Sequence, residues 1–279
     1  MTDVDAEGTI DHGAEPSGRP VNTSSVDPKE VAQFDRLAAE WWRKDGPVAP
    51  LHAMQPVRMR AMMSHVRGHF SRPIGGGALQ GLRILDVGCG GGLMAEPLAR
   101  LGAAVTAIDA SAENIAIAKQ HAVSSGLDID YRATTLEDLV VETEPFDLVT
   151  CLEVVEHVPD PLEFVGSLAA AVAPDGLLVM STLNRTAQSW AAAIAAAEYV
   201  LRWLPPGTHQ WRRFVPPDDL ARMLEAAGLR PLDRFGLVYR PAQRDWVISP
   251  ADLSINYMMI AEKAADDEPF AEIMDNPVR

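Results

Sequence analysis

The sequence has few cysteines, no long apolar run and a deficit of positive charge, and each shortage excludes a class of protein. Its two cysteines, Cys89 and Cys151, form neither a C-x-x-C pair nor a disulfide framework, which is typical of a reducing compartment. No apolar stretch reaches the roughly 20 residues that a membrane-spanning helix needs. The first residues lack the basic and apolar regions of a signal peptide, so we expect a cytoplasmic protein.

Acidic residues outnumber basic ones, and this excess argues against one kind of partner. The chain has 39 Asp and Glu against 24 Lys and Arg, a net charge of −15. Nucleic-acid binding needs clustered cations, so we expect no such partner. Residues 1–25 and 264–279 are polar and acidic, which predicts a disordered N-terminal tail and a mobile C-terminal tail. The 47% hydrophobic content is enough for one sizeable α/β core.

The chain is organised around a glycine-rich turn between a predicted strand and a predicted helix. The apolar run Ile84–Val87 ends in Gly88-Cys89-Gly90-Gly91-Gly92, and helical spacing follows over Leu93–Leu101. Glycine is required where the backbone adopts a positive φ or where a ligand comes close. Backbone amides in such a turn point toward the ligand. The pattern therefore predicts a small-molecule site at the carboxyl end of a parallel strand.

The spacing of the glycines indicates which small molecule binds there. A dinucleotide fingerprint, G-x-G-x-x-G, would need glycine at position 93, where Leu93 stands. The loop also has no Lys or Arg for a pyrophosphate. The next strand ends in Asp109, whose carboxylate can bind the two hydroxyls of a ribose. S-adenosylmethionine (SAM) fits better than NAD, although a nucleotide-dependent oxidoreductase and a purely structural glycine turn remain alternatives.

Strands and helices alternate through the rest of the chain. Over residues 81–263 we count seven strands, which predicts a doubly wound α/β fold, mostly parallel, with helices on both faces. Residues 26–70 are predicted to form a helical cap. Its first helix has a capping signal at Asp27-Pro28 and its second opens at Pro56. Residues 186–213 interrupt the alternation and are predicted to be an insertion in this SAM-binding domain.

A polar cluster follows the fourth predicted strand, at the sheet edge that also carries the glycine turn. Glu153, Glu156 and His157 offer oxygen and nitrogen donors within one short stretch. They are able to hold a hard divalent cation such as Mg²⁺, with positions left for substrate. The alternative is that the histidine and the acids orient loops or substrate without a metal.

Two levels of resemblance support these expectations. D-V-G-C-G-x-G, followed by a strand that ends in Asp109, resembles the first motif and acidic loop of class I SAM-dependent methyltransferases. Over residues 26–263 the chain is similar to the ubiquinone-biosynthesis O-methyltransferases. The stretches that carry this similarity are Phe34, Trp41-Trp42, Pro50-Leu51-His52, Pro56-Val57-Arg58, Leu85–Gly92, Cys151–Pro161, Ser181–Arg185, Glu198–Arg202, Gly207–His209 and Asn256–Met258.

The resemblance implies a Rossmann-like fold and particular cofactor contacts. The residues of that family that match Arg58, Gly88, Asp109 and Leu152 contact SAM, and Gly90 lies in the same turn. For Arg58 the alternative is a solvated cation on an amphipathic helix, but its guanidinium suits the carboxylate of SAM. Leu152 stands where the family also has Met, and this change removes no functional group.

The resemblance also implies an activity. The family's residues that match Glu153, Glu156 and His157 are associated with a divalent metal. The expected reaction is transfer of the SAM methyl group to a phenolic hydroxyl of a polyprenylated ubiquinone precursor. We expect Glu153 and His157 to be catalytic, by holding that metal. In a metal-free version His157 or His209 acts as the base. Trp41 and Trp42 are interpreted as packing residues.

The predicted insertion has a charge and an apolar pattern of its own. From Arg185 to Arg213, four arginines against Glu198 give a local charge of +3, and apolar residues fall at helical spacing beside tryptophans. This pattern is typical of a helix that lies on an anionic membrane surface. The alternative is a lid over the acceptor pocket. The residues of the pattern are Arg185, Trp190, Ile194, Ala197, Leu201, Arg202, Trp203, Leu204, Trp211, Arg212 and Arg213.

We expect a cytoplasmic protein that associates peripherally with the inner membrane and with other ubiquinone-synthesis enzymes. A non-catalytic scaffold in that assembly is a third functional hypothesis.

Overall fold

One sheet runs through the residues that the computed structural model describes, 25–192 and 210–265. Its strands are β1 (Arg83–Val87), β2 (Ala104–Asp109), β3 (Asp130–Ala133), β4 (Phe146–Leu152), β5 (Val172–Leu183), β6 (Leu229–Arg240), β7 (Asp245–Ser249) and β8 (Asn256–Lys263). The helices are α1 (Pro28–Asp35), α2 (Ala49–His69), α3 (Ala95–Arg100), α4 (Ala112–Ser124), α5 (Leu136–Glu142), α6 (Pro161–Ala171), α7 (Ala187–Ser189) and α8 (Pro217–Ala226).

The strand order is β3-β2-β1-β4-β5-β8-β6-β7. Strands β1 to β5 are parallel, whereas β8, β6 and β7 pair with their neighbours in antiparallel fashion. The predicted mostly parallel sheet is thus confirmed, but the count of seven strands was one too low. The missed strand, β7, is a short edge strand that forms a hairpin with β6. Five residues at an edge carry too little periodicity to be recognised.

Helices cover both faces of the sheet, as predicted, and each face has its own apolar core. Helices α2, α3 and α4 pack on one face, and α5, α6 and α8 pack on the other. Strand β1 is buried at every position after Arg83 because it lies between two parallel neighbours and beneath helices on both sides. This double burial explains why its sequence is a continuous apolar run up to the acidic Asp86.

The N-terminal helices differ from the prediction in one boundary. The capping signal of α1 is confirmed, because Oδ1 of Asp27 accepts a hydrogen bond from the Lys29 amide at 3.0 Å. The predicted start of the second helix at Pro56 was wrong: α2 begins at Ala49, and Pro56 lies inside it. Proline favours the first turn of a helix but does not mark it alone. Helix α5, on residues we had left unassigned, was also missed.

Some predictions concern residues that the structure does not describe. Nearly all of the two predicted tails, residues 193–209 of the insertion and the alternative base His209 lie outside the described residues. The predictions for them stay predictions. Within the described residues, no helix has both the length and the apolar content to cross a membrane.

Candidate active site

The carboxyl ends of β1, β2 and β4 open into a cavity of about 210 Å³. It lies where the strand order reverses, between β1 and β4, which is where open parallel sheets bind their ligands. One cavity brings together all the predicted cofactor residues and both predicted catalytic residues. These are Arg58, Gly88, Gly90, Asp109, Leu152, Glu153 and His157.

The glycine turn needs glycine for two reasons. Gly88, Gly90 and Gly92 have φ angles of 68°, 52° and 91°, a region that side chains rarely adopt. A Cβ on Gly88 would also lie 2.4 Å from Cγ2 of Val154, in the loop that follows β4. Gly88 therefore also lets the two loops of the site pack together, in addition to the positive φ and the approach of a ligand that the sequence had suggested.

Asp109, at the end of β2, is held in place before any ligand arrives. It accepts hydrogen bonds from the amides of Gly90 and Ser111, both at 2.9 Å, and from the side chain of Asn114 at 3.3 Å. Burial raises the pKa of Asp109, and these hydrogen bonds oppose the rise. The bonds hold the carboxylate at the cavity wall, which is the position that a ribose-binding acid needs.

Asp86 is a site residue that the sequence interpretation missed. It lines the cavity from β1 and is 2% exposed, and its Oδ1 accepts from the Thr150 hydroxyl at 2.7 Å. Burial raises the pKa of Asp86 to about 7, although the Thr150 hydrogen bond opposes the rise. Its Oδ2 has no hydrogen-bond partner in the described part of the chain. A buried oxygen without a partner is costly unless a ligand supplies a donor.

Arg58 lines the same cavity as Asp86. It is 4% exposed, which excludes the solvated-cation interpretation, and its Nε has no partner among the described residues. One cavity thus contains an acidic and a basic group, each with an unused polar atom. SAM carries an ammonium and a carboxylate on its methionine part, so the residues present fit this cofactor.

Glu153 forms the centre of a polar network at the end of β4. Its carboxylate pairs with the guanidinium of Arg58 and accepts from the hydroxyl of Ser181 at 2.7 Å. The amide of Asn256 donates to both oxygens, at 3.0 and 3.1 Å. Glu153 also has a φ of 59°, a strained conformation for a residue other than glycine. Such strain concentrates at functional sites, where the surrounding structure holds it.

His157 is paired with a residue from the N-terminal cap. Its Nδ1 lies 3.0 Å from Oε2 of Glu30 in α1, and Phe34 packs edge-on against the ring at 5.1 Å. Burial by itself lowers the pKa of His157, but the Glu30 hydrogen bond and nearby carboxylates outweigh it and raise the pKa. No pattern in the sequence indicated this pair, apart from the position of Glu30 in the first turn of α1.

The three predicted metal ligands do not converge. Glu153 accepts a hydrogen bond from Arg58, and His157 is hydrogen-bonded to Glu30. Glu156 accepts a hydrogen bond from the hydroxyl of Thr182 at 2.7 Å. Burial and then the charge of Glu153 raise the pKa of Glu156. Within residues 25–192 and 210–265, no three His, Cys, Asp or Glu side chains group as metal ligands. The donor set in this arrangement does not fit a divalent cation, and we assign no step to one.

Comparisons with known proteins agree with this site. A family model described as a methyltransferase domain matches residues 58–233. A ubiquinone biosynthesis O-methyltransferase of Dinoroseobacter shibae is 49% identical over 88% of this chain and 99% of its own. A protein of the same name from Methylocella silvestris is 51% identical over 86% of this chain and 96% of its own.

Solved structures show the same fold at low identity. A magnesium protoporphyrin IX methyltransferase from Synechocystis with bound S-adenosylhomocysteine has a TM-score of 0.57 and 19% identity, covering 85% of this chain and all of that one. A possible histamine N-methyltransferase from Thermotoga maritima has a TM-score of 0.59 and 14% identity, covering 84% and 99% of the two chains. Both support a class I methyltransferase fold. Because about half of the aligned residues are identical to those of relatives that align over nearly their whole length, the chain belongs to the ubiquinone biosynthesis O-methyltransferase family.

Proposed function

We propose that this protein transfers the methyl group of SAM to a phenolic hydroxyl of a polyprenylated ubiquinone precursor. Suitable acceptors are of the 2-polyprenyl-6-hydroxyphenol and 3-demethylubiquinol type. One observation carries the proposal: a single cavity contains the ribose-binding carboxylate Asp109 and the His157–Glu30 pair. A cofactor site and a proton acceptor thus share one space, as methyl transfer to oxygen requires.

The cofactor end of the cavity is built from charged groups of this chain. Asp109 would bind the ribose hydroxyls, Arg58 the carboxylate and Asp86 the ammonium. Leu152 and Gly90 would form apolar and backbone walls. Bound SAM supplies a methyl group on a positively charged sulfur, which needs no further activation. The protein then has two tasks, which are to align the acceptor oxygen and to remove its proton.

His157 is the residue best placed to take that proton. A phenol with a pKa near ~10 is a weak nucleophile at neutral pH, so it needs a base. With its Nδ1 proton donated to Glu30, the imidazole has Nε2 as its basic atom. Glu30 also stabilises the imidazolium that forms when the proton is taken up. Glu30 acts through His157, so it is a positioning residue.

Glu153 is proposed to orient the acceptor. Arg58, Ser181 and Asn256 hold its carboxylate in one orientation. An ionised carboxylate accepts several hydrogen bonds, so Glu153 can still accept one from a substrate hydroxyl. A catechol-like acceptor has two adjacent oxygens. We propose that one faces Glu153 while the other faces His157.

Product analysis tests the proposed activity. The protein is incubated with SAM and a prenylated hydroxyphenol bearing a single isoprene unit, and the products are read by mass spectrometry. We expect a product with one added methyl group and an equal amount of S-adenosylhomocysteine. The matched control is the same phenol with both hydroxyls already methylated, which should not react.

Two results would contradict the proposal. SAM binding without turnover of any phenol would indicate a scaffold or another small-molecule acceptor. Loss of turnover on exhaustive chelation, with recovery on adding Mg²⁺, would contradict the metal-free role of His157. It would mean that Glu153, Glu156 and His157 regroup around an ion when the acceptor binds.

We further propose that the protein works at the surface of the inner membrane, where a polyprenylated acceptor resides. The contact would be made by the insertion 186–213 on anionic lipid, close to other ubiquinone-synthesis enzymes. Trp190 and Trp211, near the two ends of this insertion, are 51% and 38% exposed. Exposed indoles beside arginines are typical of an interfacial segment.

A further inference from the structure

Two adjacent tryptophans of the cap contact the glycine turn in different ways. Trp41 lines the cavity, whereas Trp42 does not. Trp42 stacks on His121 with ring centroids 3.4 Å apart, and its Nε1 donates to the Gly91 carbonyl at 3.0 Å. The sequence had suggested packing for both residues. The structure gives them different surroundings, and Trp41 is the one that lines the cavity.

Trp41 is in direct contact with the turn. A Cβ on Gly90 would lie 2.3 Å from Cζ2 of Trp41, and a Cβ on Gly91 would lie 2.5 Å from its Cβ. The absence of side chains at these two positions is therefore what admits the indole. These glycines serve the cap as well as the backbone conformation of the turn.

A hydrogen-bonded chain connects Trp41 to the ribose-binding acid. Its Nε1 donates to Oδ1 of Asn114 at 2.8 Å, and Nδ2 of Asn114 lies 3.3 Å from Oδ1 of Asp109. Asn114 is 1% exposed, so these bonds are shielded from water. On the other side, Nε2 of His52 in α2 lies 2.7 Å from the Trp41 carbonyl oxygen. The backbone of Trp41 is thus held from α2, and its indole is held from α4.

We propose that Trp41 is a cofactor-binding residue: it forms the wall of the SAM cavity beside the ribose and positions Asp109 through Asn114. The proposal rests on the assigned cofactor. The cap then contacts the ribose end of SAM through Trp41, and ribose recognition and cap position depend on each other. Since the contact is made to the cofactor and not to the reacting atoms, its loss should weaken SAM binding more than it slows the bound complex.

The test compares Trp41→Phe with Trp42→Phe in the full chain. Each variant is titrated with SAM by calorimetry, and each is assayed for KM and kcat at saturating acceptor. We expect Trp41→Phe to weaken SAM binding roughly tenfold or more, which corresponds to the loss of about one buried hydrogen bond and its packing. KM for SAM should rise with little change in kcat. Trp42→Phe should keep its SAM affinity within about threefold, although its melting temperature falls.

Fluorescence gives a readout that does not depend on turnover. SAM should change the indole emission of the wild type and of Trp42→Phe, and this change should disappear in Trp41→Phe. Equal SAM affinity in Trp41→Phe and wild type would overturn the proposal. An equal loss in both variants would also overturn it, because it would show a general role of the cap. If the wild type binds no SAM at all, the cofactor assignment fails instead.

Discussion

At the scale of single residues, burial changes what an ionisable side chain can do. Arginine and aspartate usually lie exposed on the protein surface, yet the side chains of Arg58 and Asp86 line one cavity and these residues are only 4% and 2% exposed. Each has a polar atom without a partner in the described part of the chain. Such groups destabilise the empty protein and are compensated when a zwitterionic ligand binds. The first prediction below follows from this balance.

The first prediction concerns Asp86→Asn. The pKa of Asp86 is about 7 in the folded protein, which is above its value in the unfolded chain. Such a carboxyl stabilises the folded protein at pH values below the unfolded pKa, and this stabilisation is lost as the pH rises through the folded pKa. The variant does not titrate there. We therefore expect the variant to have a higher free energy of unfolding than the wild type. This advantage should be larger at about pH 8 than at about pH 5, by on the order of 2 kcal/mol. Denaturant melts at the two pH values measure this.

The same variant should lose the cofactor. Without a carboxylate for the ammonium of SAM, its affinity should fall roughly tenfold to a hundredfold. Asn can still accept from Thr150, so the fold is retained. A stable variant that binds SAM normally would remove Asp86 from the site, and an equal stability difference at both pH values would contradict its raised pKa.

The second prediction concerns Glu30→Gln. The Glu30 hydrogen bond raises the pKa of His157, so its removal should shift the acid limb of the kcat/KM profile to lower pH. The value on the alkaline plateau should drop about tenfold because the imidazolium loses its counter-charge. Asp27→Asn is the matched control, since Asp27 and Glu30 both pair with Arg213 but Glu30 is the one bonded to His157. A profile that shifts equally in both variants would point to the Arg213 contact instead.

At the scale of elements, the ends of the insertion are held by charge. Arg213 pairs with Asp27 and Glu30 of the cap, and Arg185 pairs with Asp219 of α8 at 3.5 Å. These carboxylates neutralise part of the positive charge that the sequence had suggested would contact anionic lipid. Membrane contact by this segment should therefore depend on its tryptophans as much as on its arginines.

The third prediction tests that contact. The full chain should sediment weakly with phosphatidylglycerol vesicles, and less as salt is added. Trp190→Glu should reduce the bound fraction several-fold while turnover of a single-isoprene acceptor is retained. Ile74→Glu is the control, because Ile74 is 82% exposed but lies outside the insertion. If both variants bind as the wild type does, or if Trp190→Glu also fails on the short acceptor, the segment is a lid.

At the scale of the whole molecule, the cofactor cavity joins elements that are far apart in the chain. The cap, the glycine turn and the loop after β4 meet there, so a bound ligand stabilises the folded chain as a unit. The fourth prediction is a thermal shift. SAM at about 100 times its Kd should add about 2.7 kcal/mol and raise Tm by about 5–10 °C.

The same melt carried out with NAD should show no shift. NAD is the discriminating control because a Rossmann-like fold alone would suit either cofactor, whereas Leu93 and the absence of a basic residue in the turn favour SAM. Stabilisation by NAD and not by SAM would support the oxidoreductase alternative instead.

Features that depend on neighbouring residues were readable from the sequence. The glycine spacing after β1, the acid at the end of β2 and the alternation of strands and helices all arise from local backbone conformation and from burial on a regular face. They predicted the fold class, and the resemblance that they carry led to the correct family. Short edge elements such as β7, and the N-terminal turn of α2, have weak local signals and were missed.

Only the tertiary structure decided which side chains contact one another in the candidate active site. Glu30 lies 127 residues from His157, and Asn256 lies 103 residues from Glu153, yet each pair is hydrogen-bonded. No periodicity encodes such separations, because they follow from strand order and helix packing. Each of the three predicted metal ligands also has a hydrogen-bond partner from another element. Sequence determined which groups reach the sheet edge, and packing determined what each of them contacts there.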